Sequence, residues 1–449
     1  MAKFILKCVN QQGDLFAEFN YDNQTSELTT LDGESVIPVT KKEFKDFPRV
    51  SKDTPLKKAS PKTLKISLGL SCNYECSYCS QRFVPNADET NPSSVDGFVN
   101  SLDNWVKDQP ERIEFWGGEP FVYWKTLKPL AEKLKAKYPN ANLSTITNGS
   151  LLDKEKNEWL DRMDFSVGIS HDGPGYHVRG LDPLDDPEKR QHILDLYKIL
   201  KPKGKISINA MLHKDNKSRA AIEEFLIKVF GEDLYIGEGS FIDPYDEGGF
   251  ESSLGDLKEH IDFRNDSLAE IRTGKANRFT GTGNKVFDFI KSISNARPAS
   301  AIGQKCGMDN PENIAVDLRG NVITCQNVSS VSKSFNNESH LIGNTADFEN
   351  IKLNTVTHWS YREECPKCPV LQICRGSCMF LEGPLWEVSC NNSFSDNISY
   401  FSAAIEQMTG FIPFYIEGPH RRDRWDLYGL KKDNIPLPKI KKFIPIYAV

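Results

Sequence analysis

Ten of the eleven cysteines in this 449-residue chain fall into two groups, and this clustering constrains the fold more than any other feature. Three lie between Cys72 and Cys79, seven lie between Cys306 and Cys390, and Cys8 stands alone. An odd total fits a fully paired disulfide framework poorly, and grouped thiols in a reducing compartment more often bind metal. The clustering therefore predicts metal sites in a cytoplasmic protein.

Charge and hydropathy exclude several classes of protein. The 56 Lys and Arg residues against 62 Asp and Glu residues give a formal charge of −6, which provides no general basic surface for nucleic acid. No run of about 18 apolar residues predicts a transmembrane helix, and the N-terminus lacks the small-residue cleavage site of a signal peptide. We therefore expect neither a nucleic-acid partner nor a membrane partner.

Strand-like and helical patterns alternate from about residue 64 onward. Helical patterns with apolar residues at three- and four-residue spacing follow the strand-like runs. The six strand-like runs cover residues 65–70, 112–118, 142–148, 165–170, 205–212 and 234–242. Six such units predict an α/β fold with a parallel sheet and outer helices, two units short of a closed barrel. We therefore expect an open, partial (β/α)6 TIM-like barrel, with ligands on the loops after the carboxyl ends of the strands.

Composition shifts divide the chain into four predicted regions. They are a β-rich N-terminal extension at 1–60, the barrel at 61–299, a small Cys-rich domain at 300–395, and a C-terminal helix and tail at 396–449. A polar stretch with two prolines, 51–62, is typical of a linker. The extension is expected either to bind a peptide by strand addition at an exposed edge or to cap the bottom of the barrel.

The first cysteine group has the spacing CxxxCxxC and directly follows the first predicted barrel strand. Thiolates of Cys72, Cys76 and Cys79 on one tight loop can hold three irons of a cubane cluster and leave the fourth iron open. Zinc, the alternative, normally takes four ligands, and no histidine lies nearby to complete its set.

With this motif the chain resembles the radical S-adenosylmethionine (SAM) enzymes. The resemblance implies that SAM binds the open iron and is cleaved to a 5′-deoxyadenosyl radical that takes a hydrogen atom from the substrate. It also implies a packing role beside the adenine for Tyr78 and binding of the SAM ammonium by Gly117, Gly118, Glu119 and Pro120. Asn148 and Ser170 lie in later segments that match the family. Arg179 and Arg190 are both candidates for the SAM carboxylate, because the family's HDxxR segment is altered to His-Val-Arg here.

The second cysteine group, with its CxxCx5CxxxC core, resembles the SPASM domain of radical SAM enzymes that act on peptides and proteins. The resemblance implies an outer 4Fe-4S cluster on Cys365, Cys368, Cys374 and Cys390. It implies an inner cluster, one ligand short, on Cys306, Cys325 and Cys378. The expected cofactors are thus SAM and three 4Fe-4S clusters, whereas a zinc ribbon is the alternative for residues 365–378. Cys8 is expected to be a buried small hydrophobe.

Residue 326 bears on the reaction. Sulfatase maturases of this family carry an Asp base at this position, but the chain has Gln326, which cannot accept a proton at ordinary pH. Residues 295–305 also lack the extra inner cysteine of those enzymes. We therefore favour an oxidative crosslink (C–C, C–O or thioether) within a ribosomally made precursor peptide. Formylglycine formation, epimerisation and a non-catalytic electron carrier remain as alternatives.

The predicted reaction also sets the expected partners. They are a precursor peptide and an electron donor such as flavodoxin or ferredoxin. Asp243, Asp246 and Glu247 follow the sixth strand on the expected active-site face. They are candidates for a base or for recognition of a basic peptide, or they form an ordinary solvated loop.

Overall fold

The computed structural model describes residues 2–50, 57–85, 90–334, 337–353 and 358–430. Residues 51–56 of the predicted linker and residues 431–449 of the predicted tail lie outside the described residues.

Strands form two sheets. The strands are β1 Lys3–Asn10, β2 Phe16–Asp22, β3 Glu27–Thr30, β4 Thr63–Ser67, β5 Arg112–Trp116, β6 Asn142–Thr147, β7 Ser166–Ser170, β8 Ile206–Leu212, β9 Ile236–Phe241, β10 Asn313–Asp317, β11 Asn321–Ile323, β12 Leu341–Asn344 and β13 Phe411–Glu417. The smaller sheet has the order β13-β1-β2-β3, and the larger has the order β12-β11-β10-β4-β5-β6-β7-β8-β9.

Helices lie between and after the barrel strands. They are α1 Ser94–Ser101, α2 Trp124–Lys137, α3 Lys154–Arg162, α4 Pro187–Leu200, α5 Arg219–Phe230, α6 Glu247–Glu251, α7 Leu257–Arg272, α8 Thr280–Ser294, α9 Leu371–Cys374 and α10 Gly383–Thr409. None of the helices in the described ranges is long and apolar enough to cross a membrane.

The predicted α/β barrel is confirmed. Strands β4 to β9 are parallel neighbours in chain order, and helices follow them as the periodicity indicates. Side chains alternate across each strand. On β5, Ile113 and Phe115 are buried in the main hydrophobic core, whereas Glu114 and Trp116 line a cavity inside the barrel. Because β4 to β9 run parallel, their carboxyl ends lie together at one mouth of the barrel.

The Cys-rich segment continues the barrel sheet. Strand β10 pairs in parallel with β4, from Asn313 beside Thr63 to Asp317 beside Ser67, and β11 and β12 follow antiparallel. This pairing makes the Cys-rich segment part of the barrel sheet, directly beside the strand that leads into the first cysteine loop. The sequence pattern did not predict this continuity.

The smaller sheet joins the two ends of the described chain. The predicted β-rich extension contributes three strands, β1 to β3, and a single bridge between Thr29 and Ser35. Strand β13, which the sequence pattern did not predict, pairs antiparallel with β1. The sheet packs against α8 and α10, where Tyr21 contacts Phe289 and Phe401.

Both outer strands of this sheet already hydrogen-bond to neighbouring chain. The Val36 amide donates to the Leu28 carbonyl beside β3, and the Ile416 amide of β13 donates to the Trp425 carbonyl. Strand addition by a peptide would compete with these bonds. In the structure the sheet packs as a layer on α8 and α10.

Helix α10 begins well before residue 396, where the sequence analysis places the C-terminal helix. It runs from Gly383, with a proline in its first turn, to Thr409 and includes Cys390. Its first half is rich in Ser and Asn, which lowers the apolar periodicity. These polar residues are nevertheless buried: Asn392 donates to the Ser253 hydroxyl, and Ser389 donates to Asp243.

Candidate functional site

The first cysteine loop lies at the mouth of the barrel. Cys72, Cys76 and Cys79 follow β4 and line a cavity of about 610 Å³ at the carboxyl ends of the strands. The Tyr123 hydroxyl accepts a hydrogen bond from the Ser71 amide at 2.7 Å and holds the start of the loop. Burial raises the pKa of Cys76 to about 11, and the nearby Arg179 acts in the opposite direction. The structure thus brings the three thiols to one open cavity, as the motif predicts.

The predicted cofactor contacts can be placed against this cavity. Eight of the nine line it: Tyr78, Gly117, Gly118, Glu119, Pro120, Asn148, Ser170 and Arg179. Arg190, the second candidate for the SAM carboxylate, does not line the cavity. It lies on α4 and its Nε donates to the Leu184 carbonyl, so it holds the loop that precedes the helix.

The Gly117-Gly118 turn after β5 packs directly against the cysteine loop. A Cβ atom on Gly118 would lie 2.4 Å from the carbonyl oxygens of both Leu70 and Ser71. These are backbone atoms that cannot rotate away. The amides of Gly118 and Glu119 donate to the carbonyls of Gly69 and Ser71 at 3.1 and 3.0 Å. The turn therefore fixes the position of the cysteine loop.

Replacing Gly118 with alanine is expected to reduce iron incorporation at least about tenfold, because supporting contacts of a metal site contribute roughly 10- to 100-fold to affinity. Iron bound per chain in a variant that retains the first cysteine group alone measures the effect. The matched control is Gly97→Ala in α1, where an added Cβ meets no atom within 4 Å. Equal iron content in both variants would contradict this role of the turn.

Glu119 connects two strand ends instead of pointing a free carboxylate at a ligand. Its Oε1 accepts from the Phe121 amide at 3.1 Å and the Thr147 hydroxyl at 2.8 Å, and its Oε2 accepts from the Asn148 amide at 2.8 Å. Burial raises its pKa to about 7, against these three hydrogen bonds. The structure thus gives Glu119 a positioning role between the ends of β5 and β6, and its role as acceptor of the SAM ammonium stays a prediction.

The raised pKa of Glu119 predicts a pH dependence of stability. Because the folded pKa of about 7 exceeds the ordinary value of 4.5, the unfolded chain releases this proton first as the pH rises. Between these values the free energy of unfolding is expected to fall by about 3 kcal/mol. Urea unfolding of the iron-free protein across this range measures the change. The Glu119→Gln variant should lack this component, and an identical pH slope in both proteins would exclude it.

Asn148 ties the loop after β6 to the cysteine loop. Its Nδ2 donates to Asn73 Oδ1 at 3.0 Å, and Asn73 Nδ2 donates to the Ser150 hydroxyl at 2.8 Å. The sequence analysis did not predict that Asn73 and Ser150 support the site. The position of Asn73 directly after Cys72 could have indicated that its side chain lies in the cysteine loop. The cysteine loop is therefore held both by the turn after β5 and by the loop after β6.

Arg179 belongs to a buried charged network beside the cavity. Its Nε and Nη2 donate to the two carboxylate oxygens of Asp172 at 2.7 and 3.0 Å. Asp172 also accepts from the Tyr78 hydroxyl and from the Met211 amide. Burial alone would raise the pKa of Asp172, but Arg179 and these hydrogen bonds hold it below its ordinary value. Asp172, which the sequence did not single out, thus orients both Tyr78 and Arg179.

The inner cysteines line a second cavity of about 570 Å³. Burial raises the pKa values of Cys306 and Cys325 to about 12, and Tyr245 makes a side-chain hydrogen bond with Cys378. The residues that line both this cavity and the first one include Met211, Asp243, Tyr245 and Asn327. The two cavities therefore adjoin.

The remaining four cysteines line a third, smaller cavity. It measures about 20 Å³ and is lined by Cys365, Cys368, Cys374 and Cys390, together with Arg424. The predicted division into groups of three, three and four thus corresponds to three separate cavities. Cys8 is fully buried in β1, away from all three, as expected of a small hydrophobe.

The three acidic candidates after β9 differ in their surroundings. Asp243 lines both adjoining cavities, and its Oδ1 accepts from the hydroxyls of Ser377 at 2.9 Å and Ser389 at 2.5 Å. Asp246 caps α6 by accepting from the Gly249 amide, and Glu247 is exposed. Gln326 lines the second cavity, and its Oε1 accepts from Lys65 at 3.3 Å. Asp243 is thus the carboxylate of the three that is positioned between the cavities.

A parallel partial barrel with three thiols on the loop after its first strand defines an α/β protein built for an iron–sulfur cofactor at the barrel mouth. Residues 66–226 match the family model described as the radical SAM superfamily. The chain therefore carries a radical SAM domain.

Curated proteins and solved structures resemble the chain beyond this domain. The cysteine-type anaerobic sulfatase-maturating enzyme of Clostridium perfringens is 25% identical over 346 residues, which cover 68% of this chain and 85% of that protein. The uncharacterized protein MJ0907 of Methanocaldococcus jannaschii is 29% identical over 166 residues, 34% of this chain, and the match spans about half of that protein, 54%. The structure of native anSMEcpe with bound AdoMet and Kp18Cys peptide superposes with a TM-score of 0.53 at 21% identity, covering 76% of this chain and 98% of that one. This likeness agrees with the fold described above.

Proposed function

We propose that the protein is a radical SAM enzyme that oxidatively modifies a ribosomally made peptide, most simply by an intramolecular crosslink. The observation that carries the proposal is the adjacency of two cysteine-lined cavities, one at the barrel mouth and one in the Cys-rich segment. A substrate in the shared space would lie between the place where a hydrogen atom is removed and a site that can accept an electron. The solved anSMEcpe structure with AdoMet and a peptide offers a precedent for such a ligand pair.

The three cysteine-lined cavities support an assignment of three clusters. Cys72, Cys76 and Cys79 would hold the SAM-binding cluster, and the two other groups would hold the inner and outer auxiliary clusters. A cluster with an open iron supplies reductive cleavage of SAM to a 5′-deoxyadenosyl radical. An external flavodoxin-like or ferredoxin-like donor would provide the electron in the cytoplasm.

The chain's residues would bind and orient SAM in the first cavity. Arg179 uses Nε and Nη2 on Asp172, which leaves Nη1 to donate to the SAM carboxylate. Backbone carbonyls near Gly117 and Gly118 would accept from its ammonium, since the Glu119 carboxylate is engaged elsewhere. Ser170, at the end of β7 in the cavity lining, would donate to the carboxylate or the ribose.

Crosslinking also requires removal of a proton from the substrate radical, and we assign this role to Asp243. It lies between the cavities, and the Ser377 and Ser389 hydroxyls hold one oxygen while the other remains for the substrate. Gln326 cannot replace it, because its carbonyl oxygen accepts from Lys65 and an amide is no base at neutral pH. Each event would remove one hydrogen atom, one proton and one electron from the peptide.

Formylglycine formation in a sulfatase is the second candidate. The length of the match to the sulfatase-maturating enzyme, 68% of this chain, favours it. Gln326 at the position of the maturase base, and the absence of a further inner cysteine in 295–305, weigh against it.

The test begins with anaerobic reconstitution, followed by addition of dithionite and SAM. We expect 5′-deoxyadenosine, and its absence would refute the proposal. Mass spectrometry of a candidate precursor peptide, after co-expression, should show loss of two hydrogen atoms per crosslink, whereas an unchanged mass together with a D-residue in chiral amino-acid analysis would indicate epimerisation. A peptide left wholly unmodified, beside a neighbouring sulfatase that acquires formylglycine, would favour the second candidate.

Asp243→Asn is expected to retain 5′-deoxyadenosine formation while product falls at least about 100-fold, the usual range for loss of a general base. The matched control is Asp246→Asn, which removes a nearby carboxylate that caps α6. Equal product from both variants would exclude Asp243 as the base.

A further inference from the structure

Two buried cations face the auxiliary cysteines without forming an ion pair with any described carboxylate. Lys57 and Arg424 are each 5% exposed, and their hydrogen bonds within the described residues go to carbonyl, amide and sulfur atoms. Burial of a charge without a counter-ion is strongly unfavourable. Each cation therefore needs a nearby anion that the polypeptide's carboxylates do not supply by direct contact.

Lys57 lies under the loop that carries Cys306. Its Nζ donates to the carbonyls of Met308 at 2.8 Å, Asn310 at 3.1 Å and Asn313 at 2.6 Å. Burial lowers its pKa to about 7, and the negative charges of Asp309, Cys306 and Cys325 oppose that change. Three carbonyl dipoles and one carboxylate at a distance only partly offset the ammonium charge. The inner thiolates are the remaining anions in its surroundings.

Arg424 has the equivalent position at the outer site. Its Nη2 donates to Cys390 Sγ at 3.3 Å and to Asn391 Oδ1 at 2.6 Å, and its guanidinium lies 4.7 Å from the centre of the Phe394 ring. It lines the cavity of the four outer cysteines. It follows β13, so the strand that pairs with β1 also delivers this cation to the outer site.

We propose that Lys57 is the counter-cation of the inner cluster and Arg424 that of the outer cluster, and that each raises the reduction potential of the cluster beside it. Reduction adds negative charge to a cluster, and a nearby cation in a low-dielectric site stabilises that added charge. Both are positioning residues that act through the thiolates. The inference rests on the proposed function, because it requires both auxiliary clusters.

The experiment uses the full chain with Cys72, Cys76 and Cys79 all changed to alanine, so that the auxiliary sites alone bind iron. Iron per chain and a potentiometric titration followed by electron paramagnetic resonance are measured. Lys57→Met should make one cluster at least tenfold harder to reduce, a decrease of about 59 mV for a one-electron couple. Arg424→Met should shift the other cluster by a similar amount. Lys57→Arg and Arg424→Lys, which keep the charge, should restore the original potentials.

Lys57→Gln and Arg424→Gln provide a second pair of variants if the methionine variants fold poorly, because glutamine keeps N–H donors without the charge. Unchanged potentials in the glutamine or methionine variants, or a shift of the same cluster by both substitutions, would overturn the inference. Absence of iron from the triple-alanine protein would overturn both the inference and the three-cluster assignment. Bound iron with unmoved potentials would overturn the inference alone.

Discussion

Replacing Cys76 with alanine is expected to abolish formation of 5′-deoxyadenosine from SAM. Supporting contacts of metal sites are worth roughly 10- to 100-fold in affinity, so loss of a direct ligand should cost more than about 100-fold. Cys72 and Cys79 line the same cavity, and no other cysteine lines it. The described chain therefore offers no thiol there to replace the missing ligand. The measurement is 5′-deoxyadenosine per chain after reduction of the reconstituted protein.

Two cysteine variants serve as controls. Cys8→Ala removes a thiol buried in β1, so it should leave the rate unchanged. Cys368→Ala removes a ligand predicted for the outer cluster, so it should retain some cleavage of SAM while crosslinked product is lost. Full 5′-deoxyadenosine formation by Cys76→Ala would refute the assignment of the first cysteine loop. Equal loss of both activities in Cys368→Ala would indicate that the second group is structural.

Replacing Asp172 with asparagine is expected to destabilise the iron-free protein by about 3 kcal/mol or more, because the buried Arg179 would lose its counter-ion. Both partners are buried, and the pair is bidentate. Because asparagine keeps only one acceptor oxygen, either the Tyr78 hydroxyl or the Met211 amide also loses its partner. We therefore expect weaker SAM binding in addition to lower stability.

Urea unfolding measures the stability change, and equilibrium binding of SAM to the reconstituted protein measures the second effect. The matched control is Asp262→Asn, which removes an exposed pair with Lys258 and should cost at most about 1 kcal/mol. A stability change for Asp172→Asn as small as the control would show that the buried pair does not hold this part of the site together.

The elements that sequence analysis predicted correctly are those with strong local patterns. Strands β4 to β9 combine β-branched residues with regular alternation, and the cysteine motif at 72–79 directly follows the first of them. The resemblance to the SPASM domain also predicted which of the auxiliary thiols share a cavity. The motif's place in the sequence also fixes its place in the fold, because a loop that follows a parallel barrel strand lies at the barrel mouth.

Roles that depend on long-range packing could not be predicted. The first half of α10 contains Ser and Asn residues whose buried partners, such as Ser253 and Asp243, come from far along the chain. Strand β13 forms because β1 offers an edge, which its own sequence does not reveal. Arg190 was a reasonable candidate by spacing alone, but the turn before α4 directs it to the Leu184 carbonyl.

The pairing of β1 with β13 has a consequence for the order in which the protein matures. During synthesis β1 leaves the ribosome long before its partner strand, so one edge of the smaller sheet stays open until β13 has been made. Arg424 follows β13, and the outer cysteine cavity lacks one of its walls until that segment has been made. The outer cluster proposed above would therefore receive its iron only after Arg424 has been made, whereas the cysteine loop at the barrel mouth is complete much earlier in synthesis.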